Sequence, residues 1–283
     1  MRRGVLYNEF GEKTGKEAIS VAYQRLPFAQ YFINTSEDFN ATRRSTVRVD
    51  YTAVNYTSGA LDKILGLQRE VNYEIHYEPD RDVIQINFQR TIGFADWLVN
   101  FEFAGKYYDS IRFEDEPLQL RVHRGWGRMY RTIKNEVREK WSELHEAHPA
   151  AETEVVGWSL GSGQAILCCQ DLNYNFGVRP HLFTFGSVRP FRSKRSNREL
   201  TRRYLDSLCA ECWNFANIND IVTYMPPFRG FGMIHRVDVG QDERRTLRRL
   251  LDPARYHTGY DNVALYTDLP KQEEEQTAVD PAR

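Results

Sequence analysis

The sequence predicts an α/β fold: a mostly parallel central sheet with helices on both of its faces. Three observations point there. Short runs rich in β-branched and aromatic residues alternate with stretches whose apolar residues recur at helical spacing. One strand run, Thr153–Val156, leads through a glycine-flanked turn straight into a helix that begins with small residues. The 283 residues, 41% of them hydrophobic, are also enough to bury a proper core. One domain is expected over residues 1–266, followed by a polar, charge-rich tail over 267–283 that reads as disordered.

Taken in order, Glu17–Phe32 reads as a helix broken by Pro27. "VNYEIHYEPDRDVIQINFQRT" carries two alternating runs around Pro79-Asp80-Arg81-Asp82, the pattern of a hairpin. In its second run Val83, Ile84, Ile86 and Phe88 are apolar enough for a central strand. On a helix, Phe94, Trp97, Leu98 and Phe101 would share one side, with Asp96 and Asn100 well away and Ile92 in the turn leading in. By pattern alone that face equally suits a helix turned to the core. Met129–His145 is a further helix, with Tyr130, Ile133, Val137, Trp141 and Leu144 at helical spacing. After the Thr153–Val156 strand, Gly161–Leu172 reads as a helix whose small first residues let strand and helix backbones approach closely. "HLFTFGS" is a strand ending at Gly186-Ser187, and "CWNFANINDIVTYMPP" is a strand followed by a loop that opens with Asn219-Asp220. "MIHRVDVG" is another strand, and "YHTGYDNVALY" begins with a histidine in a loop.

Charge and composition exclude several classes. With 38 basic against 39 acidic residues, the chain lacks the basic excess of a dedicated nucleic-acid binder. Its basic clusters, Arg189–Arg203 and Arg244–Arg255, read as solvated surface, the other reading being a patch that meets anionic lipid or nucleic acid. No stretch approaches the length and apolarity of a membrane-spanning helix. The opening residues lack the apolar core of a secretory leader. Cys209 and Cys212 have C-x-x-C spacing, but Cys168 and Cys169 do not complete a zinc set, so reduced thiols in an intracellular compartment are expected and no metal or cofactor.

Gly157-Trp158-Ser159-Leu160-Gly161 fits G-x-S-x-G, a turn that can present a serine hydroxyl at the top of a sheet. Five residues alone are a weak signal. A serine hydroxyl is a poor nucleophile until a base takes its proton, and that base needs an acid to orient it. In sheets with such a turn the acid and then the histidine follow the serine along the chain. Asp220, just past a strand end, and His257, in a later loop, stand in that order. His76, His123, His145, His148 and His181 precede Asp220, and His235 lies inside a strand run. The other reading of Asp220 is a loop cap.

Together these segments resemble the class 3 lipases, the fungal-type triacylglycerol lipases and their relatives. "DVIQINFQRTIGFADWLVNFEF" is similar to a strand ending in a Phe-Arg-Gly-Thr-like turn before an amphipathic lid. "VHRGWGRMY" resembles Val-His-x-Gly-Phe-x-x-x-Tyr, "VVGWSLGSGQA" resembles Gly-His-Ser-Leu-Gly-Gly-Ala, and "LFTFGSVRP" resembles Thr-Phe-Gly-x-Pro-Arg. "NINDIVTYMPP" is close to Asn-x-x-Asp-x-Val-Pro-x-Leu-Pro-Pro, and "YHTGYDNVALY" resembles the terminal His-Ser-x-x-x-Tyr. The segments occur in family order over Glu17–Tyr266.

The resemblance implies an α/β-hydrolase fold with a lid helix and a serine carboxylester hydrolase. Ser159 would be the nucleophile, His257 general base and then acid, and Asp220 the residue that orients His257. The backbone N–H of Leu160 and Thr91 would form the oxyanion hole. Ile92, Phe94, Trp97, Leu98 and Phe101 would belong to the lid and substrate-binding surface. The implied substrate is an acyl lipid or ester, met at a membrane surface or lipid droplet. Phospholipases, galactolipases and feruloyl esterases share the class, and the sequence does not separate them. Departures stand at Gln89-Arg90, where relatives have Arg-Gly, at Trp158 for His, and at Ser162-Gly163 for Gly-Ala. They leave a second reading open, a catalytically silent hydrolase fold that binds lipid or protein.

Overall fold

The computed structural model describes residues 6–8, 52–56, 69–88, 105–107, 111–118, 120–193, 195–217, 220–224, 230–231, 235–239 and 257. In chain order the elements are β1 (Leu6–Asn8), β2 (Thr52–Tyr56), β3 (Arg69–Glu78), β4 (Val83–Phe88), β5 (Gly105–Tyr107), β6 (Arg112–Phe113), β7 (Glu116–Pro117), β8 (Leu120–His123), α1 (Arg124–Ala147), β9 (Glu152–Trp158), α2 (Leu160–Phe176), β10 (His181–Phe185), β11 (Phe191–Ser193), α3 (Arg198–Ser207), β12 (Glu211–Asn217), β13 (Gly230–Phe231) and β14 (His235–Val239). The expected helix at Glu17–Phe32, the segment from Gln89 through Phe101 with Thr91, the cluster Arg244–Arg255 and the tail lie outside the described residues.

Among the described residues, eight strands form the main sheet in the order β1-β14-β12-β10-β9-β4-β3-β2. The five from β4 to β14 run parallel, and antiparallel partners close both edges. This is the mostly parallel sheet with flanking helices that the sequence predicts. The hairpin between β3 and β4 turns where expected, with Glu78 opposite Val83. A second, four-stranded sheet, β13-β11-β8-β5, was not expected. Its strands are two to four residues long, too short for a period-two pattern to register.

Every residue of β4 is buried, as is every residue of β9 after Glu152, so both faces of these strands are covered. Ile84, Ile86, Phe88, Val155 and Leu182 join the core shared with the helices. On the opposite face, the strand starts are polar. Gln85, Glu154, His181 and Glu211 fall in one cross-strand row, and Arg81 pairs with Glu154. Burial pushes the Glu154 carboxyl above its ordinary value against that pairing.

Helix α2 is buried without a break from Leu160 to Leu172, so apolar and small residues surround its few polar ones, Gln164, Gln170 and Asp171 among them. It ends at Gly177, whose φ of 69° is a left-handed C-terminal cap. Helix α1 packs against it, and Asp171 of α2 fixes the pair by accepting from Tyr130 Oη (3.0 Å) and from a two-pronged Arg138 contact (Nε at 2.8 Å). Trp141 Nε1 ties α1 to β9 through Thr153 Oγ1 at 3.0 Å.

One sequence reading needs correction, and one segment holds a helix that the sequence did not show. Helix α1 starts at Arg124, not at Met129, because His123 caps it: the His123 Nδ1 accepts from the Gly125 N–H at 3.2 Å. Gly125 and Gly127 had masked that first turn. The basic cluster Arg189–Arg203 runs into helix α3, whose Leu200, Thr201, Tyr204 and Leu205 are buried and whose arginines stay on its solvated side. Its arginines are partly neutralised locally: Arg202 pairs with Glu199 and Asp206, and Arg203 pairs with Glu114.

Candidate active site

Three side chains meet at the carboxyl ends of the parallel strands. β9 ends at Trp158, α2 begins at Leu160, and Ser159 alone makes the turn between them with φ 55° and ψ −121°. A non-glycine residue rarely holds a positive φ, and such strain is sustained only where the surroundings impose it. Here the strand end and the helix start press together. A Cβ on Gly157 would lie 2.5 Å from the Gly161 carbonyl oxygen and 2.7 Å from Ser162 Cα. The first glycine of the pentapeptide is therefore required by close approach of backbones. The Ser159 N–H donates to the Phe185 carbonyl at 2.9 Å, which anchors the turn to β10.

Serine is among the best residues to cap a helix, yet Ser159 makes no side-chain cap bond. Its Oγ lies 2.6 Å from His257 Nε2, and His257 Nδ1 lies 2.8 Å from Asp220 Oδ2. All three are withdrawn from water, with relative exposures of 7%, 4% and 0% for Ser159, His257 and Asp220. Asp220 follows β12, and its other carboxylate oxygen accepts from the Val222 N–H at 2.9 Å. Its carbonyl accepts from Thr223 Oγ1 at 2.9 Å, so a short 3-10 turn over Ile221–Tyr224 holds the acid in place. A carboxylate only accepts hydrogen bonds, so the imidazole proton sits on Nδ1. The Nε2 lone pair then faces the serine hydroxyl.

The structure thus brings Ser159, Asp220 and His257 together from segments far apart in sequence. Leu160 opens α2, where the first backbone N–H groups have no partner within the helix. Thr91, Ile92, Phe94, Trp97, Leu98 and Phe101 lie outside the described residues. Trp158 is buried, and its ring stands 6.3 Å from that of His257, so it lines the site without separating Ser159 from the base. Two contributors were not singled out as site residues in the sequence. Ser162 Oγ donates to the Ser159 carbonyl and accepts from the Val188 N–H at 3.1 Å, and Arg189 Nε donates to the Thr223 carbonyl at 3.1 Å. Both act on backbone groups. Ser162 was legible only as a departure from the family pattern.

Comparison with known proteins now adds to the geometry. The family model described as "Lipase (class 3)" matches residues 85–230, more than half of the chain. The chain belongs to the class 3 lipase family. A lipase of Rhizomucor miehei is 25% identical over 154 residues, a match covering 54% of this chain and 39% of that relative. Lipase II from Rhizopus niveus superposes with a TM-score of 0.56 at 20% identity, over 75% of this chain and 78% of the other. The lipase of Rhizopus microsporus var. chinensis gives 0.56 at 16% identity, over 80% and 74%. At these identities the likeness establishes the α/β-hydrolase fold.

Two positions that differ from the class 3 lipase pattern meet in space. In the pattern these segments resemble, Phe stands at the position of Trp126 and Ala at that of Gly163. A Cβ on Gly163 would lie 2.6 Å from Trp126 Cδ1 and 2.7 Å from its Nε1. The Trp126 ring fills the room that a methyl group on residue 163 would take.

Proposed function

We propose that this class 3 lipase family member is a serine carboxylester hydrolase that cleaves acyl esters of lipids through an acyl-enzyme intermediate. The observation that carries the proposal is the unbroken buried line from Asp220 through His257 to Ser159. In the acylation step the Ser159 Oγ–H proton passes to His257 Nε2 as Oγ bonds to the ester carbonyl carbon. Asp220 stabilises the imidazolium so formed and keeps its orientation. The negative charge on the former carbonyl oxygen falls to the Leu160 N–H and to Thr91, donors that contribute most when aimed at the developing oxyanion. His257 then returns the proton to the leaving alcohol as the carbon–oxygen bond breaks. A water molecule, deprotonated by His257, attacks the acyl carbon, and His257 passes that proton to Ser159 Oγ as the acyl–Oγ bond breaks and the fatty acid leaves.

Ile92, Phe94, Trp97, Leu98 and Phe101 form the proposed lid, covering the serine when closed and meeting a lipid surface when open. No described helix is long and apolar enough to cross a membrane. We read contact with a membrane surface or lipid droplet as transient and made from an intracellular setting, which suits the four free thiols.

The test is hydrolysis of p-nitrophenyl esters of rising acyl length, in the presence of lipid vesicles, by the intact chain and by Ser159→Ala. The expected result is turnover by the intact chain and a loss of roughly 10⁴-fold or more in kcat in the variant. Equal rates in the two proteins, or no turnover by the folded intact chain even with vesicles, would favour the silent binding module instead.

A further inference from the structure

Ser159 and Asp220 are joined by a second route that does not pass through His257. The Ser159 carbonyl accepts from Ser162 Oγ, and the same Oγ accepts from the Val188 N–H at 3.1 Å. The next residue is Arg189, whose Nε donates to the Thr223 carbonyl at 3.1 Å while its guanidinium lies 5.5 Å from the centre of the Tyr224 ring. Thr223 closes the route by donating to the Asp220 carbonyl through Oγ1 at 2.9 Å and through N–H at 3.4 Å. Ser162 and Val188 are fully buried and Thr223 nearly so, while Arg189 is half-buried. Around Ser162 and Val188 water does not compete for these bonds.

We infer that the segment Gly186–Arg189 is a brace that sets the distance between nucleophile and acid, with Ser162 and Arg189 as its positioning residues. The inference rests on the reading of Ser159 and Asp220 as nucleophile and acid. Its physical logic is that His257 bridges two anchors on different strands, β9 and β12, with β10 between them. Short contacts at both imidazole nitrogens are kept only while the anchors do not drift. The loop that leaves β10 lies between them and grips each by its backbone. Ser162 is this chain's own contribution, because the glycine of the family pattern has no hydroxyl to join the Ser159 carbonyl to Val188. Neither residue touches the reacting atoms.

The experiment pairs hydrogen–deuterium exchange with kinetics on Ser162→Gly and, from the other end of the route, Arg189→Gln. In Ser162→Gly, faster exchange is expected at 186–189 and also at 220–224, which the substituted residue does not touch. In Arg189→Gln, faster exchange should reach 160–163. Both variants should lose about 10- to 100-fold in kcat on a p-nitrophenyl ester with KM within about twofold, the cost of a misplacement of about 1 Å. Because both residues act along one route, the double variant should lose little more than either single one. Exchange confined to the side of the substitution, kcat unchanged in both, or losses that multiply in the double variant would overturn the brace. Exchange is read without substrate, so a chain that shows no Ser159-dependent hydrolysis would sink the proposed function while the exchange result still judges the brace.

Discussion

Helices α1 and α2 begin beside one another, with Trp126 of one against Gly163 of the other, yet the two starts are built in opposite ways. At α1 the capping residue is His123, not a favoured cap, held at an ordinary φ of −56° with its ring bonded to the helix backbone. At α2 the capping position holds Ser159, a favoured cap, at φ 55° with its hydroxyl turned away from the helix. The first start directs a side chain to the backbone and settles the fold. The second leaves the helix start without its side-chain bond, accepts backbone strain, and frees the hydroxyl for His257. Local stability and chemistry have been separated between two adjacent helix ends. Substitutions on either side of the Trp126–Gly163 contact test that separation.

The largest expected effect is at α1 and follows from pH. Burial pushes the His123 imidazole down to about 3 from an ordinary value of 6.5. The folded state therefore keeps His123 neutral where the unfolded chain protonates it. The stability this contributes is present in full above pH 6.5 and is lost as pH falls toward 3. One such group costs up to about 1.4 kcal/mol per pH unit across the window, several kcal/mol in all. Asparagine caps a helix without titrating, so His123→Asn should flatten the acid side of the stability curve. Urea unfolding of both proteins at a series of pH values measures the difference. Parallel curves would mean that His123 does not titrate as its burial dictates.

The contact between the two starts comes next. Gly163→Ala drives a methyl into Trp126 and should destabilise the fold by about 1–3 kcal/mol. Adding Trp126→Phe should recover most of that loss, because the pair then matches the family's Phe and Ala. Two independent losses that simply add would show that the two departures are unrelated.

Much of this was legible in the chain. β4 and β9 read as strands because burial on both faces leaves apolar runs, and α1 was visible from Tyr130 onward because its buried side chains recur at helical spacing. Ser159, Asp220 and His257 were legible as a chemical order. What stayed hidden works through backbone groups, to which a sequence gives no label. The His123 cap moved the start of α1, Ser162 and Arg189 grip carbonyls and an N–H, and α3 was concealed by arginines around its few buried positions. Gly163 stood out as a departure, but no pattern along the chain states that it touches Trp126.

The smallest effect is the sharpest test of the comparison. If the turn at Ser159 is strained, glycine should relieve it, since its mirror-image torsions carry no side-chain clash. Ser159→Gly and Ser159→Ala both remove the hydroxyl and both should be inactive. They differ in the backbone torsion alone, so Ser159→Gly should be the more stable by about 1 kcal/mol despite the greater freedom of its unfolded chain. At His123 the same pair should rank the other way: φ there suits any residue, and glycine brings only the entropy cost. Thermal unfolding of the four variants decides the matter. If glycine were no better than alanine at Ser159, the strain would not be confined to that residue, and the sharp turn would have to be imposed by the approach of Gly157 to Gly161 and Ser162.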